Sequence, residues 1–109
     1  METIDINSFK DALKHGATIF DTRPKPLFER DGLTGVDHLP LEQAQAGDLP
    51  NVSEDEAIYL ICERGQVSEL VGLYLEAAGF TQVFNVAGGM IAWRQTKLDA
   101  ALQTDSVPE

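Results

Sequence analysis

The sequence has too little of several things on which particular function classes depend. It has one cysteine, Cys62, so neither an intrachain disulfide nor a mechanism with an internal resolving thiol is open to it. No Cys/His group has metal-ligand spacing. Basic residues are scarce: eight Lys and Arg against eighteen Asp and Glu leave a net charge of -10, a balance that repels phosphate backbones and anionic lipid. Nucleic acid and membrane are therefore not expected partners. No apolar run approaches the roughly 20 residues that span a bilayer. The opening residues Met1, Glu2, Thr3, Ile4 and Asp5 lack the basic and apolar regions of a signal peptide. A cytoplasmic protein is expected. Gly88 and Gly89 complete no GxGxxG pattern, so a dinucleotide is not implied, and no cofactor is.

What is there fits one domain over residues 1–109, with a core from about 4 to 95. Strand-like and helix-like segments alternate, which argues for an α/β layer architecture with a parallel sheet. Asn7 or Ser8 is the expected cap of a short helix carrying Phe9, Ala12 and Leu13 and stopping at Gly16. Ala17 to Phe20 reads as a buried strand ending at Asp21. From Arg23 to Leu33 the residues Pro24, Pro26 and Gly32 predict a surface loop with at most one helical turn near Phe28. A short strand over 36–39, a short helix over 41–46 and a strong strand over 57–61 follow. Val67, Leu70, Val71, Tyr74, Leu75 and Ala78 then recur at helical spacing, and Gly79 ends that helix. A strand over 83–86, a helix over 90–102 anchored by Trp93 and a frayed polar tail over 103–109 complete the pattern.

Between the strongest strand and the strongest helix lie Cys62, Glu63, Arg64, Gly65, Gln66, Val67 and Ser68. Such a loop aims backbone N–H groups and the positive end of the next helix into one small volume, which suits an anion. A thiol placed there is favoured as thiolate, and Arg64 adds positive charge nearby. Cys62 is then a nucleophile that needs no histidine base, and Gly65 supplies the positive φ of a loop wrapped round sulfur. The plainer alternative is a buried strand-end cysteine that only fills the core. The polar flanks Glu63, Arg64, Gly65 and Gln66 weigh against it.

From about Ile4 to Trp93 the chain resembles the rhodanese family of single-domain sulfurtransferases. The resemblance rests on Asp21, Thr22 and Arg23 after the first buried strand; Gly35, Val36, Leu39, Pro40 and Leu41; Ile58 to Cys62; and Gly79, Phe80, Val83, Val86, Gly88, Gly89, Ala92 and Trp93. It implies a rhodanese-like three-layer fold, a five-stranded, mainly parallel sheet with helices on both faces. It also implies that Cys62 carries sulfane sulfur as a persulfide, with Glu63 to Val67 as the cradling loop. Asp21 and Arg23 follow a strand end and are candidates to line the same face in support; the plainer alternative is that Asp21 caps loop N–H groups and Arg23 makes an ordinary ion pair. The implied partners are a small anionic or persulfide sulfur donor, which could be a protein, and a thiol or cyanide acceptor. The six-residue loop Cys62 to Val67 matches sulfurtransferases rather than the related phosphatases, whose loop is one residue longer. The chain departs from the family at Val67, where many members have arginine. It departs again at Gly32, in place of a histidine, and at Leu27, in place of the glutamate that pairs with the first-strand arginine.

Arg23, Lys25, Arg30 and Arg64, half of the basic residues, follow strand ends and predict a basic mouth on an acidic body. Two functions compete with a sulfurtransferase. A catalytically weak sulfur-carrier or interaction module is favoured by Val67 and by the departures at Leu27 and Gly32. A cysteine phosphatase or arsenate reductase would need arginine at the position of Ser68.

Overall fold

Parallel strands cannot be joined by hairpins and need crossovers, which the alternating pattern supplies. In the computed structural model, which describes residues 1–105, five strands form one sheet in the order β1-β5-β4-β2-β3. They are β1 (Glu2–Ile4), β2 (Thr18–Asp21), β3 (Asp37–His38), β4 (Ala57–Ile61) and β5 (Gln82–Val86). Every pairing is parallel. The helices are α1 (Ile6–Lys14), α2 (Lys25–Asp31), α3 (Leu41–Gln45), α4 (Gln66–Ala77) and α5 (Gly89–Asp105). No helix among the described residues is long and apolar enough to cross a membrane.

Successive strand residues face opposite sides, so each buried strand feeds two cores. On one side Phe20, Ile58, Leu60 and Val83 pack with Ala44 of α3 and with Val71 and Leu75 of α4. On the other, Ile19, Ile61 and Val86 pack with Phe9 of α1 and Met90 of α5, and Trp93 closes edge-on against Phe9 at 6.0 Å. These are the three layers expected.

Several local expectations need correction. The cap of α1 is Asp5, whose carboxylate accepts the Ser8 N–H at 2.8 Å, rather than Asn7 or Ser8. Residues 25–31 form a helix, not a loop. Pro24 stands at its N-cap and Pro26 in its first turn, where an N–H has no intrahelical partner to lose. Gly32 closes α2, and a Cβ there would lie 2.5 Å from the Phe28 carbonyl oxygen. On α4 the buried stripe is Ser68, Val71, Gly72 and Leu75, while Leu70, Leu73 and Tyr74 remain 47%, 52% and 41% exposed. Gly72 explains the rotation: a Cβ there would meet Met1 Sδ at 2.3 Å and Leu60 Cδ1 at 3.4 Å, so the helix lies closest to the sheet along that line. The helix α5 continues through Asp105, three residues beyond the expected end, and the rest of the expected tail, 106–109, lies outside the described residues.

Candidate functional site

The central strand β4 lies between β2 and β5, and the turns leaving these three strands meet at one edge of the sheet. That edge, beyond the carboxyl ends of parallel strands, is where open α/β sheets place ligands. The turn after β2 is held by the Thr22 N–H, which donates to the Ile61 carbonyl at 2.9 Å. The turn after β5 is held by α5, whose Met90 and Ile91 N–H groups donate to the carbonyls of Cys62 (2.7 Å) and Glu63 (3.1 Å). The Cys62 loop thus satisfies amides that a helix start leaves without partners. So close an approach explains Gly89, where a Cβ would sit 2.1 Å from the Cys62 carbonyl oxygen.

Cys62 is buried, and its sulfur accepts N–H bonds from Gly65 (3.0 Å) and Ser68 (3.3 Å). The N-cap of α4 is Gly65 at φ +97°, which has no side chain to offer. The sulfur takes that part, accepting the third N–H of the helix as a capping oxygen would. Positive φ at Gly65 is what the loop was expected to require. Cys62, Glu63, Arg64, Gln66 and Val67 line a pocket of about 110 Å³ over the loop. A single water needs only about 10–15 Å³ of such space, so there is room for a small anion. Beneath the sulfur, Ser68 Oγ lies 3.3 Å from it and donates to Asn85 Oδ1, while Asn85 Nδ2 donates to the Gly65 carbonyl at 2.9 Å.

Asp21 and Arg23 do not face the pocket as a free pair. Arg23 is 1% exposed and Asp21 0%, and they are joined by hydrogen bonds of 2.9 to 3.2 Å from guanidinium to carboxylate. Arg23 also reaches Asp31 at 2.9 Å and Glu63 at 3.3 Å, and Arg94 of α5 bridges Glu63 and Asp31. Asp31, one turn after Leu27 on α2, supplies the carboxylate that Leu27 lacks. Burial works against charge on Arg23, but hydrogen bonds and attraction from Asp21 and Asp31 outweigh it and hold its pKa above the ordinary arginine value. Hydrogen bonds to Glu63 and then Asp31 raise Arg94.

The expected basic mouth is therefore corrected. Arg23 is locked inside this network, Lys25 lies 3.8 Å from Glu29, and Arg30 lies 3.7 Å from Asp31. Arg64 is the one cation among the five residues lining the pocket. Of the expected site residues, Cys62 and Gly65 meet at the sulfur and Arg64, Gln66 and Val67 line the pocket. Glu63 lines it too, with its carboxylate tied to the two arginines. Ser68 belonged to the expected loop segment but with no role at the sulfur, and Asn85, Asp31 and Arg94 were not among the expected site residues. Asn85 had a signal in the sequence, a polar residue inside the apolar strand Val83 to Val86.

A rhodanese-like domain family model matches residues 5–96. The chain belongs to the rhodanese-like domain family. It is 32% identical over 83 residues to the thiosulfate sulfurtransferase GlpE of Pseudomonas putida (strain F1), covering 76% of this chain and 74% of that protein. It is also 32% identical over 94 residues to YrkF of Bacillus subtilis (strain 168), named for sulfur carriage; this covers 83% of the chain but only 49% of that longer protein. The crystal structure of a rhodanese-like domain protein from Staphylococcus aureus superposes with a TM-score of 0.75 at 28% identity, over 85% of this chain and 91% of that one. The rhodanese-like domain is thus linked, as a family, to sulfurtransferases and sulfur carriers.

The carboxylates of the network predict an acid transition. Hydrogen bonds from Arg94 lower Glu63 against its burial; burial raises Asp31, but Arg94 and Arg23 overcome that and leave it lowered as well. Groups with depressed folded values add stability that is full above their unfolded values, about pH 4, and is lost as pH falls through the folded ones. Melting temperature is expected to fall below about pH 4, and Arg94→Met should flatten that fall. An equally steep fall in Arg94→Met, followed by thermal melts across the acid range, would contradict it.

Proposed function

We propose that this rhodanese-like domain is a sulfurtransferase that moves sulfane sulfur through a Cys62 persulfide. The observation that carries the reading is the sulfur itself, held by two backbone N–H groups at the start of α4 on the floor of an anion-sized pocket. Donors fixed in a part-dry site stabilise charge that develops on sulfur without reorganising. With thiosulfate, the Cys62 thiolate attacks the outer sulfur, a new S–S bond forms, and sulfite leaves with the electron pair of the broken bond. An external thiol or cyanide then attacks the outer sulfur of the persulfide and returns the Cys62 thiolate. In this reading Glu63 to Val67 form the cradle, Gly65 gives its N–H, and Asp21 and Arg23 hold the loop in place from behind. The test is turnover of a sulfane donor to cyanide: Cys62→Ala should lose about 1,000-fold or more in kcat, in line with loss of a covalent nucleophile. Retained turnover in that variant would remove the reading.

The surroundings of the pocket favour a persulfide donor, small or carried on a protein, over thiosulfate. Arg23 and Arg94 are engaged with carboxylates, position 67 holds valine, and a net charge of -10 repels a dianion. Moderate salt should then raise kcat/KM for thiosulfate, since screening over about 10 Å at 0.1 M weakens distant repulsion and spares contacts in the loop. Val67→Arg should raise it about tenfold, the worth of one charge-assisted contact. A wild type that prefers thiosulfate to glutathione persulfide, slows with salt and gains nothing from Val67→Arg would reverse this ranking. A carrier with little turnover is the second reading, favoured by Val67; it predicts a stable persulfide with negligible thiocyanate formation.

A further inference from the structure

Ser68 has one proton, and the bonds around it fix where that proton points. The Gly65 carbonyl can only accept, so the Asn85 side chain must turn its Nδ2 toward it, as found at 2.9 Å. Asn85 Oδ1 therefore faces Ser68 Oγ, and it too can only accept. Ser68 donates there, which leaves it a lone pair to offer to Cys62 Sγ, 3.3 Å away. A thiol can donate to that lone pair; a thiolate cannot, and meets only its negative side. Ser68, Asn85 and Cys62 are 0%, 4% and 2% exposed, so water has little access to restore the balance. We propose that Asn85 is a positioning residue which, through Ser68, weights Cys62 toward its protonated form over the thiolate. It opposes the N–H groups of Gly65 and Ser68, which favour the thiolate. The sign is the reverse of a hydroxyl that donates to a nucleophilic sulfur.

The inference rests on the reading of Cys62 as the nucleophile, yet its test needs no sulfur donor, so the two can fail separately. The probe is iodoacetamide, a neutral reagent whose iodide is displaced by the thiolate as the carbon–sulfur bond forms. Its rate is followed against pH for wild type, Ser68→Ala, Asn85→Ala and the double variant. The charged groups around the loop are Glu63 and Arg64 within it, Arg23 and Asp21 after β2, Asp31 on α2, Glu69 on α4 and Arg94 on α5. All are unchanged in these variants. In Ser68→Ala the pH of half-maximal rate should fall by about half a unit to one unit, the scale of one weak hydrogen bond. Asn85→Ala should lower it too, because the freed Ser68 hydroxyl can turn its proton to the sulfur. In the Ser68→Ala background Asn85→Ala should bring no further fall. A rise in Ser68→Ala overturns the proposal, and so does an equal fall on removing Asn85 in both backgrounds, which would place its action on Gly65 instead. If Asn85→Ala does not fold, the direction of the Ser68→Ala shift decides alone.

Discussion

Arg23→Met is expected to destabilise the domain by about 3–5 kcal/mol, the usual cost of removing one partner from a buried ion pair. Asp21 is fully buried, and without the guanidinium its carboxylate keeps only the Arg23 backbone N–H at 2.9 Å. Asp31 and Glu63 lose a shared cation at the same time, although Arg94 still bridges them. For a domain of about this size the loss corresponds to a fall of about 15 °C in melting temperature. The cost lies mostly in the stranded charge, so Asp21→Asn in the Arg23→Met background should restore more than half of it. Urea denaturation of the two single variants and the double variant measures this. A loss below about 1 kcal/mol in Arg23→Met, the range of an exposed pair, would show that the network is not what joins β2 to the Cys62 loop.

Gly89→Ala is expected to be comparably damaging, for a steric reason. The new Cβ would lie 2.1 Å from the Cys62 carbonyl oxygen and 2.8 Å from that of Glu63, so either α5 or the loop must move. Overpacking of this kind adds about 1–3 kcal/mol to the roughly 1–2 kcal/mol of placing alanine at φ +51°. Movement breaks the Met90 N–H bond to Cys62, so sulfur chemistry should fall with stability. Gly16→Ala is the control: its φ is +76° and a Cβ there meets nothing within 4 Å. It should show the backbone cost alone and leave Cys62 unaffected. Equal losses in the two variants would mean that the paired glycines serve a turn and not the loop.

The central unit was legible because its signals are local. Ala57 to Ile61 is an unbroken strand-forming run, Cys62 follows it directly, and α4 repeats its apolar positions over twelve residues. The first strand had no such signal: Glu2–Ile4 is three residues long, mostly exposed, and pairs with β5 about eighty positions away. The segment 25–31 carries loop signals in its prolines, yet Pro24 at the N-cap and Pro26 in the first turn interrupt no helical hydrogen bond. The ion network was legible as residues but not as pairs. Asp31 and Arg94 are 63 positions apart, and only the crossing of α5 over the loop brings them together. Arg23 after a strand end admitted both a place at a basic mouth and an ordinary ion pair, and burial between carboxylates decided for the pair. The resemblance supplied the five-strand count, since the pattern alone showed four.

The central claim, that Cys62 carries sulfur, is tested most directly by intact mass after incubation with a sulfane donor. Wild type should gain the mass of one sulfur atom and lose it again to cyanide or a reductant, and Cys62→Ser should gain nothing. The same gain in Cys62→Ser, or none in wild type with thiosulfate, a persulfidated protein and mercaptopyruvate alike, would contradict the account.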